Sequence, residues 1–158
     1  LDYQDTVLIV DKGQKKVGST LGHALMQDHP FANQRFKQAN ENLGEFKRVL
    51  VAGDLKRFID LVESEALCLH AMMMTSNPRF VLMQPNTLSI IKKVEDFRLQ
   101  TQLPLCFTLD AGANVHLLYP FRDRIPIIDF IQEELVVHCQ NGQYIEDQVG
   151  NGAKKILV

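Results

Sequence analysis

The chain has 158 residues, of which 46% are hydrophobic and 23% are charged, and its formal net charge is -2. This composition is typical of one globular domain, and the balanced charge gives no electrostatic reason to expect a nucleic acid or an anionic membrane surface as a partner. No apolar run approaches the roughly 20 residues that a membrane-spanning helix needs.

The first predicted elements are a strand and a short helix. The β-rich run DTVLIVD predicts a strand over residues 5–11, and KGQKK behind it predicts a turn. STLGHALMQDH predicts a short helix with Ser19 or Thr20 as its N-cap. His29 and Pro30 end this helix, because the residue before a proline avoids the α region.

Three longer helices follow. Apolar residues recur every three or four positions over residues 31–50, which is the spacing of one helical face. Gly53 is predicted to end this helix, and Asp54 to cap the next one, which reaches about Met73. After a connection that contains two prolines, Asn86 is predicted to cap the fourth helix.

Two strands, a helix and a short tail complete the chain. LPLCFTLD and NVHLLYP, residues 103–110 and 114–120, predict the strands, and IIDFIQEELVVHC, residues 127–139, predicts the helix. The tail from residue 143 predicts one or two short strands around a Gly-Asn-Gly turn. The order β, four helices, β, β, α, β predicts one α+β domain over residues 1–158, with an antiparallel sheet and helices on one face.

The three cysteines, Cys68, Cys106 and Cys139, are far apart and form no CxxC pair. Each lies among apolar residues, so we expect reduced core residues in a cytoplasmic protein. The five histidines show no metal-ligand spacing, so no metal site is predicted, and no glycine-rich nucleotide-binding motif is present. His70 lies on an apolar face and is predicted to be a hydrogen-bonded core residue.

One candidate catalytic group is Asp110, which ends an apolar run and precedes three small residues, Ala111, Gly112 and Ala113. An aspartate here can simply cap the loop between two strands. The small residues, however, would let a ligand approach the backbone closely. A partly buried carboxylate in that position could orient or deprotonate a hydroxyl group.

A second candidate is the segment 18–23, GSTLGH, which follows Lys12, Lys15 and Lys16. A helix N-terminus with free N–H groups and two hydroxyls suits an anion, although an ordinary solvated N-cap explains the segment equally well. The likeness to the nucleophile motif G-x-S-x-G is poor, because Thr20 holds the central position.

Residues 108–114, TLDAGAN, resemble the T-[FL]-D-A-G-P-N motif of the diphosphomevalonate decarboxylase family in the GHMP kinase superfamily. Two weaker matches lie upstream: GSTLGH resembles an S-[ST]-x-x-G-M segment, and His70 with Ala71 matches a His-Ala pair. The resemblance covers residues 5–120 in the right order. Ala113 replaces the usual proline, which should loosen the loop, and His23 replaces a common methionine.

The resemblance implies a ferredoxin-like sheet of the GHMP kinase C-terminal type and an ATP-dependent decarboxylation. In this family the 3-hydroxyl of mevalonate 5-diphosphate is phosphorylated, and phosphate and carbon dioxide then leave to give isopentenyl diphosphate. Asp110 matches the catalytic aspartate that contacts the hydroxyl. The resemblance also places Ser19, Thr20 and Gly22 near the diphosphate, and Ala111 with Gly112 beside the substrate.

The resemblance further implies that ATP with Mg²⁺ is bound mainly by an N-terminal half, which is not among these residues. The chain begins at Leu1 rather than methionine, so we expect a fragment. Because the half that the resemblance assigns to ATP is not among these residues, we expect the fragment to be inactive alone. Relatives are often homodimers, but the sequence does not decide the oligomeric state. Two alternatives stay open: a GHMP-family small-molecule kinase domain, and a non-catalytic ferredoxin-like binding domain in which Asp110 only caps a turn.

Overall fold

The computed structural model describes residues 2–13, 25–26, 28–150 and 152. The helices and strands in this part of the chain are β1 Tyr3–Leu8, α1 Ala32–Ala52, α2 Leu55–Thr75, α3 Pro85–Thr101, β2 Cys106–Leu109, β3 Val115–Pro120, α4 Arg124–Phe130 and β4 Tyr144–Gln148. None of the helices in these ranges is both long and apolar enough to cross a membrane.

The four strands form one antiparallel sheet in the order β2-β3-β1-β4. The chain therefore follows the βαββαβ path of a ferredoxin-like fold with three helices, α1 to α3, between β1 and β2, and the first and third strands are central. The predicted α+β class and sheet type are confirmed. Because β2 and β3 are joined by the short segment 110–114, the loop of Asp110 lies at one end of this sheet.

The main core lies on one face of the sheet. Large side chains from all three strands β1, β2 and β3 point to this face, including Leu8, Phe107 and Leu117, each of which is fully buried. They pack against the apolar stripes of α3 and α4, which contribute Ile90 and Ile127. Burial of one Leu, Ile or Phe side chain contributes about 1.5 to 3 kcal/mol, so this face dominates the stability of the fold.

The part of the chain that the structure describes covers the opposite face only at one end. There Tyr3 and Cys106 pack against residues of α2, among them Phe58, and against Val49 of α1. The rest of this face is half-exposed and includes Asp5 and His116. We call it the open face of the sheet.

The outer edge of β2 is closed by an ion pair rather than by another strand. Arg98 of α3 donates to both carboxylate oxygens of Glu63 of α2, at 2.7 and 2.9 Å. The same guanidinium donates to the carbonyl of Leu105, and Glu63 accepts a hydrogen bond from the backbone N–H of Phe107. Two backbone groups that an edge strand would leave unpaired are thereby satisfied.

Several predicted boundaries differ from the observed ones. The first strand covers 3–8 rather than 5–11, because Tyr3 pairs with Pro120 at the far end of β3. Gly53 and Asp54 act as predicted: Gly53 adopts a left-handed C-cap, and the Asp54 carboxylate accepts from the N–H of Arg57.

The prediction that Asn86 caps α3 is wrong. The cap of α3 is Gln84, whose backbone N–H donates to the Thr87 hydroxyl, and Pro85 occupies the first helical position. Proline suits that position because its missing N–H would have no helical partner there. The Asn86 amide donates instead to the carbonyl of His138.

The last helix begins earlier than predicted and changes pitch. The α-helical part is 124–130, a π-helical turn follows at 131–135, and a 3-10 turn at 136–138 ends it.

Cys106 and Cys139 are buried, as expected, but Cys68 is only half-buried, so its placement in the core was wrong. Most of the predicted helix at 19–29 lies outside the described residues.

Candidate active site

Asp110 follows the last residue of β2 and begins a tight turn. The backbone N–H of Gly112 donates to the carbonyl of Asp110 at 2.7 Å, so the chain reverses within three residues. The turn brings the chain back to Asn114, and β3 begins at the next residue. Asp110 therefore lies at the seam of two paired strands, as the sequence predicted, but it is exposed rather than partly buried.

Two buried side chains hold this loop from the core side. The Nε2–H of His70 donates to the carbonyl of Asp110 at 3.0 Å, and the Thr87 hydroxyl donates to the carbonyl of Ala113 at 2.6 Å. Burial lowers the pKa of His70, while the carbonyl and the charge of Asp110 oppose this shift. The low pKa favours a neutral imidazole, which serves here as a hydrogen-bond donor to the backbone.

Asn114 ties the other end of the loop to β1. Its side-chain oxygen accepts hydrogen bonds from the backbone N–H groups of Val10 and Asp11, at 2.9 and 3.0 Å. These two groups lie just beyond the end of β1, where no strand pairing is available to them. The loop is thus fixed at three points, by His70, Thr87 and Asn114.

Gly112 leaves space for the carboxylate of Asp110. A Cβ atom added at this position would lie 3.0 Å from Oδ1 of Asp110, which is closer than an ordinary van der Waals contact. An alanine at this position would therefore displace the carboxylate of Asp110 by a few tenths of an ångström.

The loop 110–114 lines a cavity of about 150 Å³. Its other walls come from residues 81, 82 and 84 before α3 and from Asp11 and Gly13 after β1. Pockets that enclose a small ligand usually measure roughly 300 to 1,000 Å³. The described residues therefore form one wall of a site rather than a complete enclosure.

A larger cavity of about 470 Å³ lies between α1 and α2 and is lined largely by apolar atoms. Among the described residues, its one charged wall residue is Arg35, whose guanidinium is paired with the carboxylate of Glu65. The described walls of this cavity contain the thiol of Cys68 but no carboxylate or imidazole, so we place the candidate active site at Asp110 despite the smaller volume.

The structure brings three of the predicted site residues together: Asp110, Ala111 and Gly112 line the same cavity. The other three, Ser19, Thr20 and Gly22, lie outside the described residues. Sequence reasoning missed the loop contacts of His70 and Thr87, although His70 was predicted to be a buried, hydrogen-bonded residue and is 1% exposed. Within the described ranges, no group of three or more His, Cys, Asp or Glu side chains converges to hold a metal ion.

Residues 6–155 match the family described as mevalonate 5-diphosphate decarboxylase C-terminal domain. A curated relative, the phosphomevalonate decarboxylase of Haloferax volcanii, is 27% identical over 95 residues, which cover 60% of this chain and 29% of that protein.

Solved structures show the same fold. Mevalonate pyrophosphate decarboxylase from Streptococcus pyogenes superimposes with a TM-score of 0.86 at 20% identity, over 98% of this chain and 47% of that one. Mevalonate diphosphate decarboxylase from Staphylococcus aureus gives 0.82 at 27% identity, over 96% and 45%. The protein MDDEF, solved in complex with MVAPP, AMPPCP and magnesium, gives 0.80 at 21% identity, over 91% and 43%.

The chain therefore spans less than half the length of these relatives. The family match, in contrast, covers nearly the whole of this chain. The agreement of sequence and fold leads to one conclusion: the chain belongs to the mevalonate 5-diphosphate decarboxylase C-terminal domain family.

Proposed function

We propose that this chain supplies the C-terminal part of the active site of an ATP-dependent decarboxylase that acts on a phosphorylated mevalonate. The observation that carries the proposal is Asp110, a carboxylate on a rigidly anchored loop that lines a cavity. The family to which the chain belongs, and the decarboxylases among its relatives, support the reaction class.

In this proposal Asp110 contacts the 3-hydroxyl of the substrate and accepts its proton. Removal of the proton makes the oxygen a better nucleophile toward phosphorus, and a phosphorylated oxygen is a far better leaving group than hydroxide. Loss of that phosphate then draws the electrons of the carbon–carbon bond, and carbon dioxide is released. The anchored loop keeps the carboxylate in place, which reduces the reorganisation needed during the reaction.

ATP supplies the phosphoryl group, with Mg²⁺ as its counter-ion. No metal-binding cluster exists among the described residues, so we assign both mainly to residues outside them. A relative solved in complex with AMPPCP and magnesium supports the use of a nucleotide in the family. The segment 18–23 stays a proposed contact for the substrate phosphates, with Ser19, Thr20 and Gly22 as its members.

The substrate is either mevalonate 5-diphosphate or the 5-monophosphate, and the two relatives differ on this point. The Staphylococcus aureus relative is named for the diphosphate, whereas that of Haloferax volcanii is a phosphomevalonate decarboxylase. We favour the diphosphate, because the family that matches residues 6–155 carries that name.

The test is to supply full-length protein with ATP and each substrate in turn and to measure carbon dioxide and ADP. Faster carbon dioxide release from mevalonate 5-diphosphate supports the proposed substrate. Faster release from the 5-monophosphate identifies a phosphomevalonate decarboxylase instead. ADP formed without carbon dioxide would identify a kinase. If neither product forms, the proposed function is wrong.

The isolated 158-residue chain is expected to release no carbon dioxide, since it forms only one wall of the site. The measurement is the same assay on the purified fragment, with full-length protein as the positive control. Turnover by the fragment would show that all essential groups lie within these residues.

Replacing Gly112 by alanine is expected to lower kcat of the full-length protein about 10- to 100-fold, because the new methyl group displaces the Asp110 carboxylate. The matched control is Gly44→Ala in α1, where an added Cβ meets nothing within 4 Å. The control should keep full activity and gain slightly in stability, since alanine favours a helix. Equal activity of both variants would show that the space beside Asp110 has no catalytic importance.

A further inference from the structure

A buried hydroxyl group joins two walls of the Asp110 cavity. One wall is the loop 110–114, and the facing wall comes from residues 81, 82 and 84, which precede α3. Thr87, in the first turn of α3, is 0% exposed and contacts both. Its hydroxyl accepts a hydrogen bond from the backbone N–H of Gln84 at 3.1 Å and donates its own proton to the carbonyl of Ala113 at 2.6 Å.

The N-terminal cap of α3 fixes the orientation of this hydroxyl. The backbone N–H of Thr87 donates to the side chain of Gln84, so the two residues are bonded reciprocally. A threonine in a helix often gives its hydroxyl proton to a carbonyl of the preceding turn. Here the acceptor is the carbonyl of Ala113, 26 residues away in the chain. The start of the helix therefore holds the loop directly.

His70 holds the same loop in a different way. It donates to the carbonyl of Asp110 from α2, and none of the described residues that line this cavity belongs to α2. Loss of that contact would free one end of the loop from the core. Loss of the Thr87 hydroxyl would also separate the loop from the wall that faces it. The spacing of the two walls is therefore set by Thr87.

The contact with Ala113 is shielded from solvent. Ala113 is 8% exposed and Thr87 is fully buried, so water does not readily replace the hydroxyl. A buried carbonyl without a donor is strongly unfavourable, and the loop is expected to shift toward another donor if the hydroxyl is removed. Because Asp110 lies three residues before Ala113 in the same tight turn, such a shift moves the carboxylate as well.

We propose that Thr87 is a positioning residue for the reaction: its hydroxyl fixes the loop of Asp110 relative to the start of α3, and with it the place of the carboxylate beside a bound substrate. This inference rests on the proposed function, because it gives Thr87 a part in the same site. It adds a residue that lies outside the segment 108–114 that resembles the family motif.

Thr87→Val in the full-length protein is expected to lower kcat about 10- to 100-fold, since a small misplacement of a catalytic group is costly. Valine has nearly the shape of threonine but neither donates nor accepts a hydrogen bond. KM should change by less than about threefold, because a misplaced carboxylate is felt mainly in the transition state. Thr87→Ser keeps the hydroxyl, so it should retain kcat within about threefold, although loss of a buried methyl group lowers its stability.

Thr6→Val is the matched control. Thr6 is also 0% exposed, and its hydroxyl is hydrogen-bonded to that of Tyr119 at 2.8 Å. Tyr119 is next to the last residue of β3, at the end of the strand away from the Asp110 loop. The control therefore removes a buried hydroxyl without touching either wall. It should lose stability but keep kcat, when all proteins are assayed at a temperature where thermal unfolding shows them to be folded.

A second measurement does not need activity. In NMR spectra of the full-length protein, Thr87→Val should shift the backbone signals of Asp110 and Gly112, because the loop moves. Hydrogen exchange of the Gln84 N–H should become at least about tenfold faster, because this group loses its acceptor. Thr87→Ser and Thr6→Val should leave these signals and this exchange rate close to those of wild type.

A wild-type kcat in Thr87→Val would overturn the inference. Equal losses of kcat in Thr87→Val and Thr87→Ser would assign the effect to packing of the methyl group, and equal losses in Thr87→Val and Thr6→Val would assign it to stability; either result also overturns it. If wild type releases no carbon dioxide but the signals of Asp110 shift in Thr87→Val, the proposed function fails while the connection between the walls stands. Unchanged signals of Asp110 in that variant refute the connection itself.

Discussion

Replacement of Asp110 by asparagine in the full-length protein is expected to lower the rate of carbon dioxide release by about 10²- to 10⁴-fold. This is the usual contribution of a positioned acid or base. Asparagine nearly preserves the shape of the side chain, and the loop anchors act on backbone carbonyls, so they remain available. The variant should therefore keep its fold and bind substrate with little change in KM.

The control for this variant is Asp96→Asn, which removes an exposed carboxylate from α3. Both variants should show the same thermal unfolding as wild type, and only Asp110→Asn should lose activity. Activity of Asp110→Asn within about threefold of wild type would reduce Asp110 to a loop cap. The family assignment would survive that result, because it does not depend on the role of this residue.

The second large expected effect is a loss of stability when the ion pair at the outer edge of β2 is broken. Arg98→Met is expected to destabilise the fold by roughly 3 kcal/mol, because it leaves the Glu63 carboxylate buried without its cation. The side chains of Glu63 and Arg98 are only 12% and 23% exposed, so solvent compensates little for the loss. The carbonyl of Leu105 also loses its donor. Such a loss lowers the unfolding temperature.

The destabilisation by Arg98→Met should depend on pH with a definite sign. Burial raises the pKa of Glu63, and the hydrogen bond and charge of Arg98 oppose this rise. Without Arg98 the pKa in the folded state rises further above the unfolded value. A raised pKa stabilises the fold below the unfolded pKa, and this contribution is lost as pH rises through the folded pKa. The variant should therefore lose more stability near pH ~8 than near pH ~5.

Thermal unfolding of the full-length protein at both pH values measures this effect. The double variant Glu63→Gln/Arg98→Met has no carboxylate to titrate at this site, so its loss of stability should not grow with pH. Glu45→Gln breaks the more exposed pair with Arg57 and should have little effect at either pH. A pH-independent loss in Arg98→Met would show that Glu63 does not carry the charge we assign to it.

Local sequence signals predicted most of the elements. The apolar period over residues 31–50 predicted α1, Gly53 and Asp54 marked the boundary between the first two long helices, and both caps are observed. The segment 108–114 predicted the seam of two strands and the acid within it. These predictions succeed because helix periodicity and capping depend on residues a few positions apart.

The misplaced cap of α3 shows where local rules compete. Asn86 is a good N-cap residue, yet Pro85 precedes it and fits best inside the first helical turn. The cap moves to Gln84, which pairs reciprocally with Thr87. Asn86 then becomes available for a contact with the carbonyl of His138, 52 residues away along the chain.

By itself, the sequence determined the class of fold, the family resemblance and the acid at position 110. Only the tertiary structure decided what holds the loop of that acid: His70 and Asp110 are 40 residues apart in the chain, and Thr87 and Ala113 are 26 apart. Their meeting follows from the strand order and from the way α2 and α3 pack beside β2. No local pattern encodes it, because such contacts arise only when distant segments bury their apolar faces together.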